Sequence, residues 1–209
     1  MLLQEYWVDP CGLLSIPWWK QKRISLPPGM KLLHHRHFTP EAAEGFRDQI
    51  YFRLLHDLKS IPEPSLPDRD ILSLSPGDAA VIASVINRSY PAIRVTERQI
   101  AAMADSPAFC PALWVAVRDR ESGCISGCAM GEFDPESGEM SIEWVQVLPA
   151  HRRNGIGRAL VLELLHRAPE GARFATVSGQ ADNASNPEGL YRRCGFTGDD
   201  YWHILTKEN

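Results

Sequence analysis

The sequence predicts a mixed α/β (α+β) domain of helices around a central sheet, with an N-terminal extension. Three observations lead there. Beyond residue 69, strand and helix signals follow one another in the order β-α-α-β-β-β-α-β-α-β. Ahead of them, Ile61-Pro62-Glu63-Pro64-Ser65-Leu66-Pro67 carries three prolines, which block both a helix and a central strand. Residues 145–160 read as a strand, a glycine-containing loop and a buried helix. A boundary at the proline segment divides the chain into residues 1–68, an arm and a helix packing on the core, and residues 69–209, the main domain.

Residues 1–30 are rich in proline and tryptophan (Trp7, Trp18 and Trp19 among them) and read as an irregular arm that packs its aromatics on another surface. Trp18-Trp19-Lys20 is either a latch or one wall of a pocket. Residues 31–38 suit a strand. In it His35 and His37 would share one face, but no third ligand can be named, so no metal is expected. Glu41–Lys59 is expected to be a helix, because Phe46, Ile50, Leu54, Leu55 and Leu58 form a stripe at helical spacing.

Past the linker, Asp70–Leu74 is a short strand, and Ser75-Pro76 opens a helix to about Arg88. Thr96, with Gln99 three residues on, makes a capping box for the next helix. Leu113–Arg118, Cys124–Phe133 and Met140–Leu148 are strands, the last two joined as a hairpin through Asp134–Gly138. A helix over Gly155–Arg167 and a strand over Arg173–Ser178 follow. Asn186, Pro187 and Gly195 bracket a short helix, and Tyr201–Lys207 closes the chain as a strand.

Composition excludes several classes. A hydrophobic fraction of 44% permits a core of ordinary size. The net charge of −4 offers no reason to expect nucleic acid or an anionic membrane. No apolar run approaches the ~18 residues of a membrane span. Met1–Pro10 contains Glu5 and Asp9, unlike a secretory signal. Five scattered cysteines suit reduced thiols and a cytoplasmic location. Cys124 and Cys128 lack a second pair at ligand spacing, so zinc is not expected.

The stretch from Trp144 to Leu162 holds three arginines, one histidine and no carboxylate. Free backbone N–H groups at a helix N-terminus in a positive field suit a phosphate. A P-loop would need Lys-Ser/Thr after the last glycine, where Arg158-Ala159 stands. A dinucleotide loop would need a small residue at Leu160 and an acid closing the next strand, and Phe174–Ser178 supplies none. A coenzyme A pyrophosphate site is the third reading.

At this point the chain resembles the GNAT superfamily of acetyl-CoA-dependent N-acetyltransferases. Its signature Arg/Gln-x-x-Gly-x-Gly/Ala is met by Arg152-x-x-Gly155-x-Gly157, after a strand ending Val145-Gln146-Val147-Leu148-Pro149. Leu190-Tyr191-Arg192-Arg193-Cys194-Gly195-Phe196 is close to the family's Leu-Tyr-x-x-x-Gly-Phe. The resemblance covers roughly residues 69–207 and implies a mostly antiparallel central sheet flanked by helices. It also implies direct transfer of acetyl from acetyl-CoA to a primary amine in a ternary complex.

The resemblance places the pyrophosphate on Arg152, Arg153, Asn154, Gly155, Ile156, Gly157 and Arg158, chiefly through backbone N–H groups. It places the pantetheine amides on the splayed edge at Val145, Gln146 and Val147, and a cofactor contact at Asn186 or, less well matched, Asn183. Glu143, two residues before Val145, is the candidate base and is expected on the face of Val145 and Val147. Tyr191 is the candidate acid for the leaving sulfur, and Cys194 reads as a buried thiol. The expected acceptor is a small-molecule or peptide amine, and a homodimer is a further option. An alternative is a coenzyme A-binding regulatory or sensory module that keeps the fold without turnover.

Overall fold

Apolar residues at alternate positions build most of this molecule, because in a strand every second side chain faces the same layer. The computed structural model describes residues 1–90 and 92–207. The strands are β1 (Met30–His34), β2 (Phe46–His56), β3 (Arg69–Ser73), β4 (Phe109–Asp119), β5 (Ile125–Asp134), β6 (Glu139–Val147), β7 (Phe174–Gln180) and β8 (Thr197–Lys207). They form one eight-stranded sheet in the order β1-β8-β2-β7-β6-β5-β4-β3. Every neighbouring pair is antiparallel except β6 with β7. That parallel pair needs a crossover, which the helix α5 (Ile156–His166) supplies.

The other helices are α1 (Leu3–Val8) and α2 (Pro10–Leu13) in the arm, α3 (Ala79–Ser89), α4 (Glu97–Ala102) and α6 (Pro187–Arg192). The expected capping box forms: the Thr96 hydroxyl accepts from the Gln99 N–H, and the Gln99 side chain accepts from the Thr96 N–H. One sheet face packs on α5 and α6 through buried Leu54, Leu113, Val115, Met140, Ile142, Leu160 and Leu164. The other packs on α3 and α4 through Ile82, Ile86, Ile100, Trp114, Cys128 and Met130. The arm covers the rest of that second face with Tyr6 and Trp18 against Phe174. Among the described residues no helix is long and apolar enough to cross a membrane.

Two expectations are corrected. Glu41–Lys59 is not a helix: a 3-10 turn over Pro40–Ala43 and Gly45 at φ 75° lead into the strand β2. Residues 46, 50, 54 and 58 are spaced by four, which fits a helix but is also a multiple of two. Phe46, Ile50 and Leu54 share one face of β2 with Phe52, Phe52 and Leu54 are fully buried, and Leu58 lies beyond the strand at φ 59°. Leu55, which fits only the helical stripe, packs on the opposite face with the arm. Residues 1–68 therefore do not add a helix to the outside of a domain. They contribute two strands, and β2 lies between β7 and β8. The second correction is that β1 stops at His34. His35-Arg36-His37 is a 3-10 turn, so strand alternation does not relate the two imidazoles. His35 Nδ1 instead meets His203 Nε2 at 3.1 Å.

The arm is tied down by a buried ion pair. Arg53 Nη2 donates to Glu139 Oε1 at 2.8 Å, and both side chains are nearly inaccessible. Thr176 Oγ1 donates to the same oxygen at 2.5 Å, while the Tyr6 hydroxyl and the Trp18 N–H each donate to Oε2 at 2.8 Å. Burial, and then the Glu139 charge, hold the Tyr6 phenol protonated well above its usual range. Removing one partner of a buried pair leaves an uncompensated charge, a loss of about 3–5 kcal/mol. Glu139→Ala should lose that much stability in urea unfolding; a change below about 1 kcal/mol would mean that the pair behaves as a surface contact.

Candidate active site

Strands β6 and β7 pair only from Glu139↔Phe174 to Ile142↔Val177. Beyond Ile142, β6 keeps its pairing to β5 on one edge, with Trp144, Val145, Gln146 and Val147 opposite Met130, Ala129, Cys128 and Gly127. Its other edge is free. The cause is a bulge: Ile142 faces Gly131 and Trp144 faces Met130, so Glu143 is an extra residue. A bulge bends its strand and increases the twist. The unpaired backbone groups at 143–147 form an edge that an extended chain of amides can join.

The loop at the end of β6 leads into α5. Arg153 and Gly155 take left-handed conformations, φ 65° and 76°. Gly155 is the N-cap of α5 and no side chain caps it, so the first N–H groups of the helix are left for a ligand. Arg153, Asn154 and Gly155 are exposed, whereas the Ile156 side chain belongs to the core and can offer only its backbone. At Gly157 a Cβ would lie 3.3 Å from Leu190 and 3.7 Å from Val147. Its bare backbone therefore continues the floor between β6 and α6. An uncapped helix terminus at α5 and a glycine floor leading to a free amide edge together fit the pyrophosphate and pantetheine of coenzyme A.

Arg152 is engaged elsewhere. Its Nε donates to Val147 O at 3.2 Å, its Nη2 donates to Ser89 O at 2.6 Å, and its guanidinium lies 5.1 Å from the Tyr90 ring centre. It braces the end of β6 against α3. The Tyr90 hydroxyl in turn lies 3.4 Å from Ser185 Oγ, ahead of α6. Gln146 is buried with no hydrogen-bond partner for its Oε1.

Glu143 does not share the face of Val145 and Val147. Those valines pack toward the α5 core, whereas Glu143 Oε1 accepts from Ser141 Oγ at 2.9 Å. The extra residue of the bulge shifts the alternation by one, which strand spacing alone could not reveal. Across the strand from Ser141 stands Glu132, absent from the sequence-based candidates. Burial, then the neighbouring charge of Glu143, push Glu132 up to about 7, and Lys20 opposes this. Lys20 Nζ lies 3.2 Å from Glu132 and 2.5 Å from Glu143. Glu132 carried a usable signal: it follows Cys128 and Met130 at even spacing, as a carboxylate on a core-facing row. Lys20 carried none, because nothing local directs the arm there.

Tyr191 projects from α6 into the core between Phe52 and Phe196. Burial first, then Tyr90 and Cys194 nearby, hold its hydroxyl protonated well above the usual range. Cys194 is fully buried, and burial pushes its thiol up to about 11, as suits an inert core group. Asn186 Oδ1 accepts from the Gly189 N–H at 3.0 Å and Asn183 Oδ1 accepts from Ser185. Both act as local caps; the Asn186 carbonyl is already used.

The sequence model of the Acetyltransferase (GNAT) family matches residues 81–196, more than half of the chain. Among solved structures, a GCN5-related N-acetyltransferase from Sphaerobacter thermophilus is similar at a TM-score of 0.69 and 22% identity, over 90% of this chain. The chain spans 63% of that protein's length. Ard1 from Thermoplasma volcanium is similar at a TM-score of 0.54 and 18% identity, covering 66% of this chain and 96% of its own. The ribosomal-protein-S18-alanine N-acetyltransferase from Escherichia coli is similar at 0.51 and 20% identity, covering 66% and 91%. No curated protein sequence matches. With the strand opening, the glycine loop and the family match agreeing, the chain belongs to the GNAT acetyltransferase family.

Proposed function

We propose that the chain is an acetyl-CoA-dependent N-acetyltransferase acting on a primary amine. The observation that carries this reading is the opening of β6 from β7 at Glu143. It lines up an uncapped helix terminus, a free amide edge and an acidic pair that already holds an ammonium. Acetyl-CoA supplies an activated acyl carbon as its thioester. Backbone N–H groups from Arg153 to Arg158 and the α5 dipole hold its pyrophosphate. The edge at Val145–Val147 orients its amides.

A primary amine has a pKa of about 10.4, so roughly one molecule in 10³ is neutral at pH 7. Glu132, with an affinity for protons near neutrality, is matched to take the amine's proton. Glu143 holds the ammonium and, by its charge, helps keep Glu132 basic. Tyr191 stays protonated at neutral pH and donates to the departing sulfur.

One observation favours the second reading, a coenzyme A-binding module without turnover: Lys20 occupies both carboxylates. Calorimetry with acetyl-CoA, followed by thiol release over a panel of amines, separates the two. Binding with no thiol released for any amine would select the module.

Gly157→Glu should abolish acetyl-CoA binding by charge and bulk; unchanged affinity in calorimetry would show that the loop is misassigned. Tyr191→Phe should lower kcat by about 10²-fold with acetyl-CoA affinity retained, and equal losses in both would mean that the tyrosine only packs. A base must be ionised to act, so kcat/KM should rise with pH through about 7. Glu132→Gln should remove that rise and lower kcat/KM by about 10²-fold. A profile unchanged in the variant would assign the base elsewhere.

A further inference from the structure

Lys20 presents a primary ammonium at the acidic pair where the proposed reaction needs its acceptor. It ends the 3-10 turn Trp18–Lys20, whose first residue is fixed by the Trp18 N–H donating to Glu139 Oε2. Its Nζ contacts Glu143 at 2.5 Å and Glu132 at 3.2 Å, and lies 5.3 Å from the Trp19 ring centre. Its side chain is 16% exposed. Lys22, two residues on, is 65% exposed and pairs with Glu136, and Lys59 is 82% exposed. Glu143 is the first residue past the last β6–β7 pair, so this ammonium stands at the mouth of the opening. The geometry combines a nucleophile, two carboxylates able to deprotonate it, and the edge that orients the donor.

We propose that Lys20 is an intramolecular acetylation site, so that the chain acylates its own arm. This rests on the acetyl-CoA reading above. One carboxylate takes a proton from the ammonium, and the neutral Nζ adds to the thioester carbonyl carbon. The new N–C bond forms, the C–S bond breaks, and the sulfur leaves with the bonding pair. The thiolate is protonated to coenzyme A thiol, and the second nitrogen proton passes through the carboxylates to water. The sum is one ammonium and one thioester giving one amide, one thiol and one released proton; no oxidant or reductant is needed.

The product has lost its charge. Glu132 and Glu143 are then left facing each other without a counter-ion, and their repulsion disfavours the closed arm. The Trp18 anchor on Glu139 is untouched, so release is confined to the turn carrying Lys20. Acetylation would thus clear the acidic pair for an external amine.

The test incubates the full chain with acetyl-CoA and no added amine, maps acetyl groups by peptide mass spectrometry and titrates released thiol. Expected are one acetyl group per chain on Lys20, an equal amount of thiol, and a first-order rate that does not change on dilution. Lys20→Arg keeps the cation and should lose both the label and the matching thiol. Lys20→Gln, a neutral amide from the start, should acetylate amines without a lag. Label spread over Lys22 and Lys59, or a rate proportional to protein concentration, would overturn the proposal. A thermal shift by acetyl-CoA and thiol release with external amines, while Lys20 stays unmodified, would overturn it alone. Absence of any thermal shift by acetyl-CoA would overturn the donor reading together with it.

Discussion

Glu139 accepts from Arg53 and Thr176 on one carboxylate oxygen and from Tyr6 and Trp18 on the other. Those donors come from β2, β7 and two points of the arm. A carboxylate this deeply buried must be paired and fully hydrogen-bonded, so all of these segments are held to one arrangement. Glu139 is also the first residue of the parallel pairing between β6 and β7. The pair is clamped at that end and released four residues later by the bulge at Glu143. An opening between two strands is stable only if its closed end is fixed, and the Glu139 network fixes it.

The opening separates two kinds of chemistry. On the α5 side, the Val145–Val147 edge, the Gly155 N-cap and the Gly157 floor present backbone groups beside the exposed Arg153. Arg152, the most obvious cation, braces Val147 and Ser89. On the arm side, charge is concentrated: two carboxylates and a lysine, all largely buried, where the low dielectric strengthens their mutual effects. Glu132 is shifted and Tyr191 is shifted, both mainly by burial. The first becomes a better proton acceptor near neutrality; the second remains a proton donor.

The main domain was largely legible in the sequence because its signals are local. The capping box at Thr96, the hairpin at Asp134–Gly138 and the Asn186 cap all formed where turn and cap chemistry placed them. The first 68 residues were not. A four-residue spacing serves a helix and a strand alike, and only pairing with β7 and β8 selected the strand for β2. The face of Glu143 was misread for a related reason: a bulge depends on the partner strand, and one extra residue reverses the alternation.

The sequence by itself determined the elements proposed to hold the donor. Gly155, Gly157 and Tyr191, in the roles proposed for them, would act through backbone freedom, a missing Cβ and a hydroxyl within short motifs, and such properties travel with the residues. The tertiary structure alone decided the acidic pair proposed to meet the acceptor. Burial and Glu143 raise the proton affinity of Glu132, and Lys20 meets both carboxylates because the Glu139 network carries the arm across the sheet. Proton affinity and charge pairing are set by surroundings, and these surroundings come from segments far apart in the chain.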